Sequence, residues 1–300
     1  MPSVEVRPFR RDDRDQLTAL VNAHVGAVLP GVSVSVNAVL RQLEREPGEA
    51  IVDPWVVERR ALVAVRREAV VAGALVLRYA ADARVSDSYR DSGEIRWLVC
   101  RPDAGEAGDA LLAAALETTA AWGVRVTHSD PALPAIAVYG VPDCWPHVAA
   151  LYERHGFVPR GHTEVVLVVL VADLARRAAP PFDRLDVRRS VGDCGTRFTA
   201  VRGGRELGFV EVESDLSEGG VRSRLAGWSD VGNLWTDEPH RRRGVATWLL
   251  GAAADWLRLG GVERLVAYAK PGDDAERAFY ARAGFRELTR TRRGWVREVG

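Results

Sequence analysis

The chain has 300 residues, with 41 basic and 41 acidic side chains and an apolar share of 47%. That length suits two medium domains with real cores, and a formal charge of zero argues against a nucleic-acid partner, which asks for a basic face. The cysteines Cys100, Cys144 and Cys194 show neither metal nor redox spacing, no run approaches a membrane span, and the first fifteen residues are too charged for a signal peptide. These features imply a cytoplasmic protein without a membrane or metal.

In chain order, Val4–Phe9 alternates as a short strand, and Leu17, Leu20 and Val21 mark one face of a helix over Gln16–Val25. A second helix is predicted over Val36–Glu44. Ala61–Arg66 and Ala69–Tyr79 read as strands paired about a charged turn, and Glu94–Val99 as the next strand. Gly105–Trp122 follows as a helix, Val124–Thr127 as a strand and Ala149–Gly156 as a short helix. The apolar run His162–Val171 is expected to close this first unit. Arg176–Pro181 reads as a linker, because two prolines end regular structure. The expected division is thus 1–177 and 178–300.

The second half opens with a strand at Leu185–Arg189, and the next begins near Arg197. Only a turn's worth of chain lies between them, where the first half has room for two helices. Gly208–Val212 is a further strand. After the apolar pair Leu234-Trp235 comes a polar turn and then a helix. Its apolar residues Val245, Trp248, Leu249, Ala252, Ala253, Trp256 and Leu257 share one face, and Gly260-Gly261 ends it. The turn reads Arg241-Arg242-Arg243-Gly244-Val245-Ala246. A helix start offers unpaired N–H groups and the positive end of its dipole, and small residues let a ligand come close. The pattern is that of a pyrophosphate cradle.

Arg241-x-x-Gly244-x-Ala246, between a strand and a helix, resembles the acetyl-CoA loop of the GCN5-related N-acetyltransferases. After a strand-like run at Val262–Ala269, the segment Phe279-Tyr280-Ala281-Arg282-Ala283-Gly284-Phe285 resembles that family's second signature. The resemblance implies an α/β (α+β) fold, a mixed and mostly antiparallel sheet flanked by helices, and an acetyl-CoA-dependent N-acetyltransferase without a metal. It implies that a backbone N–H among Leu234, Trp235 and Thr236 polarises the thioester carbonyl, and that Tyr280 is the proton donor. Asp230 is the nearest carboxylate for the base, with Glu211 and Glu213 as rivals. Asp273 stands where relatives carry an asparagine near the cofactor arm. Asp237 reads as a cap and His240 as loop surface.

The pattern recurs in the first half. Trp97 and Trp235 stand 138 residues apart, and the same offset relates Leu111 to Leu249 and Gly123 to Gly261. Leu151-Tyr152 through Gly156-Phe157 repeats the second signature. The chain therefore reads as two tandem domains of this kind. The first copy's loop, Asp103-Ala104-Gly105-Glu106-Ala107-Gly108, puts carboxylates where a pyrophosphate would lie, and reads as degenerate. The second copy lacks the two helices that would flank an acceptor, which leaves an apolar surface for the first domain, or a second subunit, to wall off. The acceptor implied is a small-molecule amine or a peptide N-terminus, and the protein a monomer or homodimer. Alternative readings are a mycothiol-synthase-like acetyltransferase and a non-catalytic acetyl-CoA-binding regulator.

Overall fold

A computed structural model describes residues 3–44, 55–135, 139–213 and 227–298. The chain forms two compact units, one of Met1–Thr163 with Thr289–Gly300, the other of Glu164–Leu288.

The first unit begins with β1 (Glu5–Pro8), helices α1 (Arg14–Val28) and α2 (Val36–Glu44), and the strands β2 (Val56–Arg66), β3 (Ala69–Tyr79) and β4 (Gly93–Cys100). Helix α3 (Gly105–Ala121) leads to β5 (Val126–Ser129) and the two-residue β6 (Val141–Pro142). Helix α4 (Pro146–Arg154) and β7 (Val158–Pro159) follow. Arg67 and Glu68, both at positive φ, make the tight turn between β2 and β3, a backbone shape that matches the twist of the strands it joins.

The chain then enters the second unit through β8 (Thr163–Leu170). Strands β9 (Leu185–Gly192), β10 (Gly195–Arg202), β11 (Arg205–Glu213) and β12 (Trp228–Thr236) form an antiparallel meander. Helix α5 (Val245–Leu259), β13 (Arg264–Ala269), α6 (Asp274–Arg282) and β14 (Arg286–Arg292) follow, and β15 (Trp295–Glu298) ends the described chain. The apolar stripe of α5 lies in the second unit's core. Leu249 is fully buried there, worth about 1.5–3 kcal/mol of transfer free energy.

The order in the first sheet is β1-β2-β3-β4-β5-β15-β7, and in the second unit β14-β8-β13-β12-β11-β10-β9. The strand expected to close the first unit, β8, thus pairs antiparallel with β13 in the second sheet, Leu167 opposite Ala267. Strand β15, from beyond the second unit, pairs with β5 in the first, Val296 opposite His128. A run such as Val165–Val169 is buried on both faces. Its sequence therefore specifies a central strand without specifying which sheet.

The two helices missing from the second copy are replaced by the turn Asp193-Cys194 between β9 and β10. Buried Glu211 secures that turn. Its carboxylate accepts from the backbone N–H groups of Asp193 and Cys194 (both 3.2 Å), from Arg197 (2.5 Å) and from Asn233 (2.7 Å). The sheet face opposite α5 is not the apolar surface expected. Arg197 lies 4.0 Å over the Phe209 ring, and Phe209 packs beside Trp235 at 5.9 Å.

Candidate active site

Strands β12 and β13 run parallel and pair over three steps only, Trp228 with Arg264, Ser229 with Leu265 and Asp230 with Val266. One step further Gly232 is an extra residue, because Val231 faces Val212 while Asn233 faces Glu211. Beyond Asp230 the β13 side of β12 has no strand partner among the described residues. Two parallel strands that part in this way leave backbone N–H and C=O groups for a ligand to satisfy. Two buried side-chain oxygens on the same strand, Asp230 Oδ1 and Thr236 Oγ1, also have no hydrogen-bond partner.

The corner from β12 into α5 is unusual in its backbone. Arg242 has φ 58° and Gly244 has φ 88° with ψ −5°, so the helix starts from a left-handed turn. A Cβ on Gly244 would be strained there and would meet Pro181 at 3.3 Å. Arg241 to Gly244 are exposed, while Val245 is buried and pins the first turn to the core. Arg241 Nε–H donates to the Thr236 carbonyl at 3.1 Å. The N–H groups of Val245, Ala246 and Thr247 belong to the first turn, which has no intrahelical acceptor for them. With the dipole and three arginines, this corner fits the diphosphate of acetyl-CoA.

Asp237 bonds Arg205 at 2.7 Å instead of capping a helix, and its carboxylate lies 3.3 Å from His240. His240 is partly buried, edge-on to Phe182 at 6.0 Å. Leu234 packs toward the core, Trp235 is 42% exposed and Thr236 is partly buried. Asp273 accepts from the Glu276 N–H at 2.9 Å and so caps α6.

Tyr280 on α6 is buried between Phe279 (5.2 Å) and Phe285 (5.0 Å). Burial, with the nearby Glu276 charge adding to it, raises its hydroxyl pKa and keeps the proton on. Asp230 sits where β12 and β13 part. Burial, reinforced by the charge of Glu213 opposite it on β11, pushes its carboxyl up to about 6, against the hydrogen bond from Tyr268 (3.5 Å). A group in that range takes and returns protons near neutral pH. Glu211 differs. Burial works to raise its carboxyl, but the bonds from Asn233 and Arg197 outweigh it and leave it lowered. A carboxylate committed to four donors is a brace, not a base.

The first unit repeats this layout. Strands β4 and β5 pair in parallel at Gly93–Thr127 and Glu94–His128 only, and Arg96 is the extra residue of a matching bulge. By that register Glu94 corresponds to Asp230, and Trp97 to Asn233. Trp97 and Trp235 are therefore not counterparts, and their exposures, 1% and 42%, agree. The offset of 138 holds later, where Gly123 (φ 75°) and Gly261 (φ 71°) end their helices alike.

What the first unit lacks is so open an edge and a left-handed corner. The Ile95 carbonyl is bonded by Ser129 Oγ (2.9 Å) and the Arg96 carbonyl by the Ala132 N–H (3.0 Å). His24 Nε2 accepts the Cys100 N–H at 3.3 Å, and His147 bonds the Cys100 carbonyl at 2.9 Å. Helix α3 starts from Ala104 at φ −124°, and no residue of its loop has positive φ. Asp103 pairs with Arg101 at 3.1 Å. Tyr152 is tied by its hydroxyl to Ser129 at 2.8 Å.

The sequence profile of the Acetyltransferase (GNAT) family matches residues 172–285. That stretch is a GNAT-family acetyltransferase domain. Solved structures extend the likeness to the whole chain. A tandem GNAT protein from the clavulanic acid biosynthesis pathway covers 99% of both chains with a TM-score of 0.67 and 15% identity. A GCN5-related N-acetyltransferase from Sphaerobacter thermophilus covers 98% of this chain and 95% of its own, with a TM-score of 0.64 and 17% identity. The third is a GCN5-related glucosamine N-acetyltransferase region within a fungal multi-domain GH3 beta-N-acetylglucosaminidase. It gives a TM-score of 0.68 at 16% identity over 98% of this chain, which spans 38% of that longer protein. At such identities the likeness is one of fold, and the fold is a tandem GNAT. No curated protein matches the chain. Among the described residues no helix is long and apolar enough to cross a membrane.

Asp230 lies where β12 and β13 part, residues 234–236 lie on the stretch of β12 beyond it, and residues 241–246 form the corner that follows, tied back by Arg241 to Thr236. Two further residues at the loop, Phe182 and Arg202, carry no signal in the sequence. One lies just past the expected linker and the other at the end of β10, and only tertiary packing gathers them with Arg243.

Proposed function

We propose that the chain is a cytoplasmic, acetyl-CoA-dependent N-acetyltransferase that acetylates a primary amine, with its chemistry in the second unit. The observation that carries this reading is the left-handed corner Arg242–Gly244 after a strand that has no strand partner on its β13 side beyond Asp230, whose own carboxyl is held near 6. Acetyl-CoA supplies the acetyl group as a thioester. Arg241 to Ala246 hold its diphosphate, and Asp273 stands at the cofactor arm. A backbone N–H among Leu234, Trp235 and Thr236 polarises the carbonyl oxygen as negative charge develops on it. Asp230 accepts the proton that the attacking amine sheds. Tyr280 gives its proton to the departing sulfur. The acceptor is a small-molecule amine or a peptide N-terminus, and an amino sugar belongs among the first to try, given the glucosamine acetyltransferase of the same fold.

Calorimetry with acetyl-CoA, followed by a screen of amino sugars, amino acids, polyamines and peptides, tests the proposal. One binding site per chain and turnover with one amine class are expected. Binding without turnover on any amine would favour a regulator that senses acetyl-CoA, and absence of binding would sink both.

A further inference from the structure

In the second unit, residues 176–183 lie along α5 as a strap. The Arg177 N–H donates to Asp255 (3.4 Å), Trp248 Nε1–H donates to the Ala178 carbonyl (3.1 Å), and Pro181 fills the space beside Gly244. Phe182 ends the strap under two cations. The Arg243 guanidinium lies 4.5 Å from its ring centroid and that of Arg202 lies 5.6 Å away, both within the range of a cation–π contact. Arg243 belongs to the left-handed corner, and Arg202 closes β10. Neither arginine has a carboxylate partner among the described residues. Two like charges gathered on one ring without a counter-ion repel each other, and a bound anion relieves that repulsion.

We infer that Phe182 is a positioning residue, which holds Arg202 and Arg243 as a paired guanidinium clamp for a phosphate group of the cosubstrate's nucleotide end. The inference rests on the reading that acetyl-CoA binds at Arg241–Ala246. Phosphate reaches the clamp from one of two places in that ligand, the diphosphate or the 3′-phosphate. Guanidinium suits both, because its planar fork donates two hydrogen bonds to one phosphate.

The test is calorimetry on the full chain with acetyl-CoA, 3′-dephospho-acetyl-CoA and acetyl-pantetheine, for the wild type, Phe182→Ala, Phe182→Trp and Arg202→Gln. Arg202 is exposed, so its variant keeps the fold even if Phe182→Ala loosens the strap. Phe182→Ala and Arg202→Gln should each raise the Kd for acetyl-CoA about tenfold and lower the preference for acetyl-CoA over acetyl-pantetheine. Phe182→Trp should restore most of the loss, since indole is the better face for a cation. A loss shared by the dephospho ligand assigns the clamp to the diphosphate, and a loss confined to acetyl-CoA assigns it to the 3′-phosphate. Unchanged affinities in both variants, or a tryptophan variant as weak as the alanine one, would overturn the clamp. If the wild type itself ignored acetyl-CoA, the cofactor reading would fall first and the clamp with it.

Discussion

The two helix starts, at α3 and at α5, follow strands that part from their parallel neighbours at the same register and carry a bulge at the same place. One corner turns left-handed at Arg242 and Gly244; the other stays in ordinary conformations and draws Asp103 to two arginines, Arg101 and Arg66. One strand leaves its edge without a strand partner, with only the Thr236 carbonyl taken by Arg241; in the other, Ser129, Ala132, His24 and His147 have taken its backbone groups. The same sheet layout thus supports an open corner in one unit and a filled one in the other. In the first unit, three side chains and one backbone N–H make the hydrogen bonds that β12 leaves largely open.

The largest effect should come from cutting the chain. A fragment from Pro181 to Gly300 lacks β8, the neighbour of β13, and exposes a sheet edge. It should be insoluble whatever the first unit does. A fragment Glu164–Leu288 keeps β8 and is the fair comparison. It should fold and bind acetyl-CoA with the affinity of the full chain. A fragment that folds without binding acetyl-CoA would contradict the placement of the cofactor site in the second unit.

Next in size is Gly244→Glu, which should abolish acetyl-CoA binding through strain, crowding and charge together. The mirror experiment, Asp103→Arg with Glu106→Gly, should leave calorimetry at one site, since β4's edge stays occupied. A second site gained by those two changes would mean that charge alone had silenced the first unit.

Tyr280→Phe should lower turnover about a hundredfold while Kd for acetyl-CoA stays within about twofold, the usual cost of a lost general acid. Tyr152→Phe should leave turnover alone and cost about 1 kcal/mol of stability for its bond to Ser129. Equal kinetic effects would contradict the assignment of chemistry to one unit. Asp230→Asn should remove an acid limb near pH 6 from kcat/KM, because the carboxylate is the active form.

The smallest effects oppose each other in sign. Burial, with the charge of His147, pushes His24 in the first unit down to about 4, so its contribution is present above 6.5 and fades as pH falls toward 4. Asp230 in the second unit, raised to about 6, contributes below 3.8 and loses that contribution as pH rises through 6. Hydrogen exchange followed between pH 4 and 7 should show the first unit weakening on acidification and the second firming. Asp230→Asn should flatten the second trend and raise stability above pH 7 by about 1–3 kcal/mol. Parallel trends would mean that one of these two groups is not buried as described.

Most elements were legible because their residues repeat with the right period. The stripe from Val245 to Leu257 and the Gly260-Gly261 stop mark α5, and the charged turn Arg66–Glu68 marks its hairpin. The partner of β8 was not legible, because alternation states which faces are covered and not by whom. The Trp97–Trp235 pairing misled because the corner after β12 is longer than that after β4, so the offset true of the helices fails in the strands. Within the site, the loop could be read from glycine and arginine spacing. The burial that shifts Asp230, and the bonds that lock Glu211, arise from strands far apart in sequence, and no local pattern carries them.

The exchange of β8 and β15 also bears on the order in which the protein can be made. The ribosome delivers residues 3–163 long before β15, the strand that lies between β5 and β7. Until the entire second unit has been synthesised, the nascent first sheet has a gap and an unpaired edge, the kind of edge that invites pairing with another chain. The second unit has no such wait, since β8 precedes it. In this molecule the half translated first is the half completed last, and its exposure lasts as long as translation of the other.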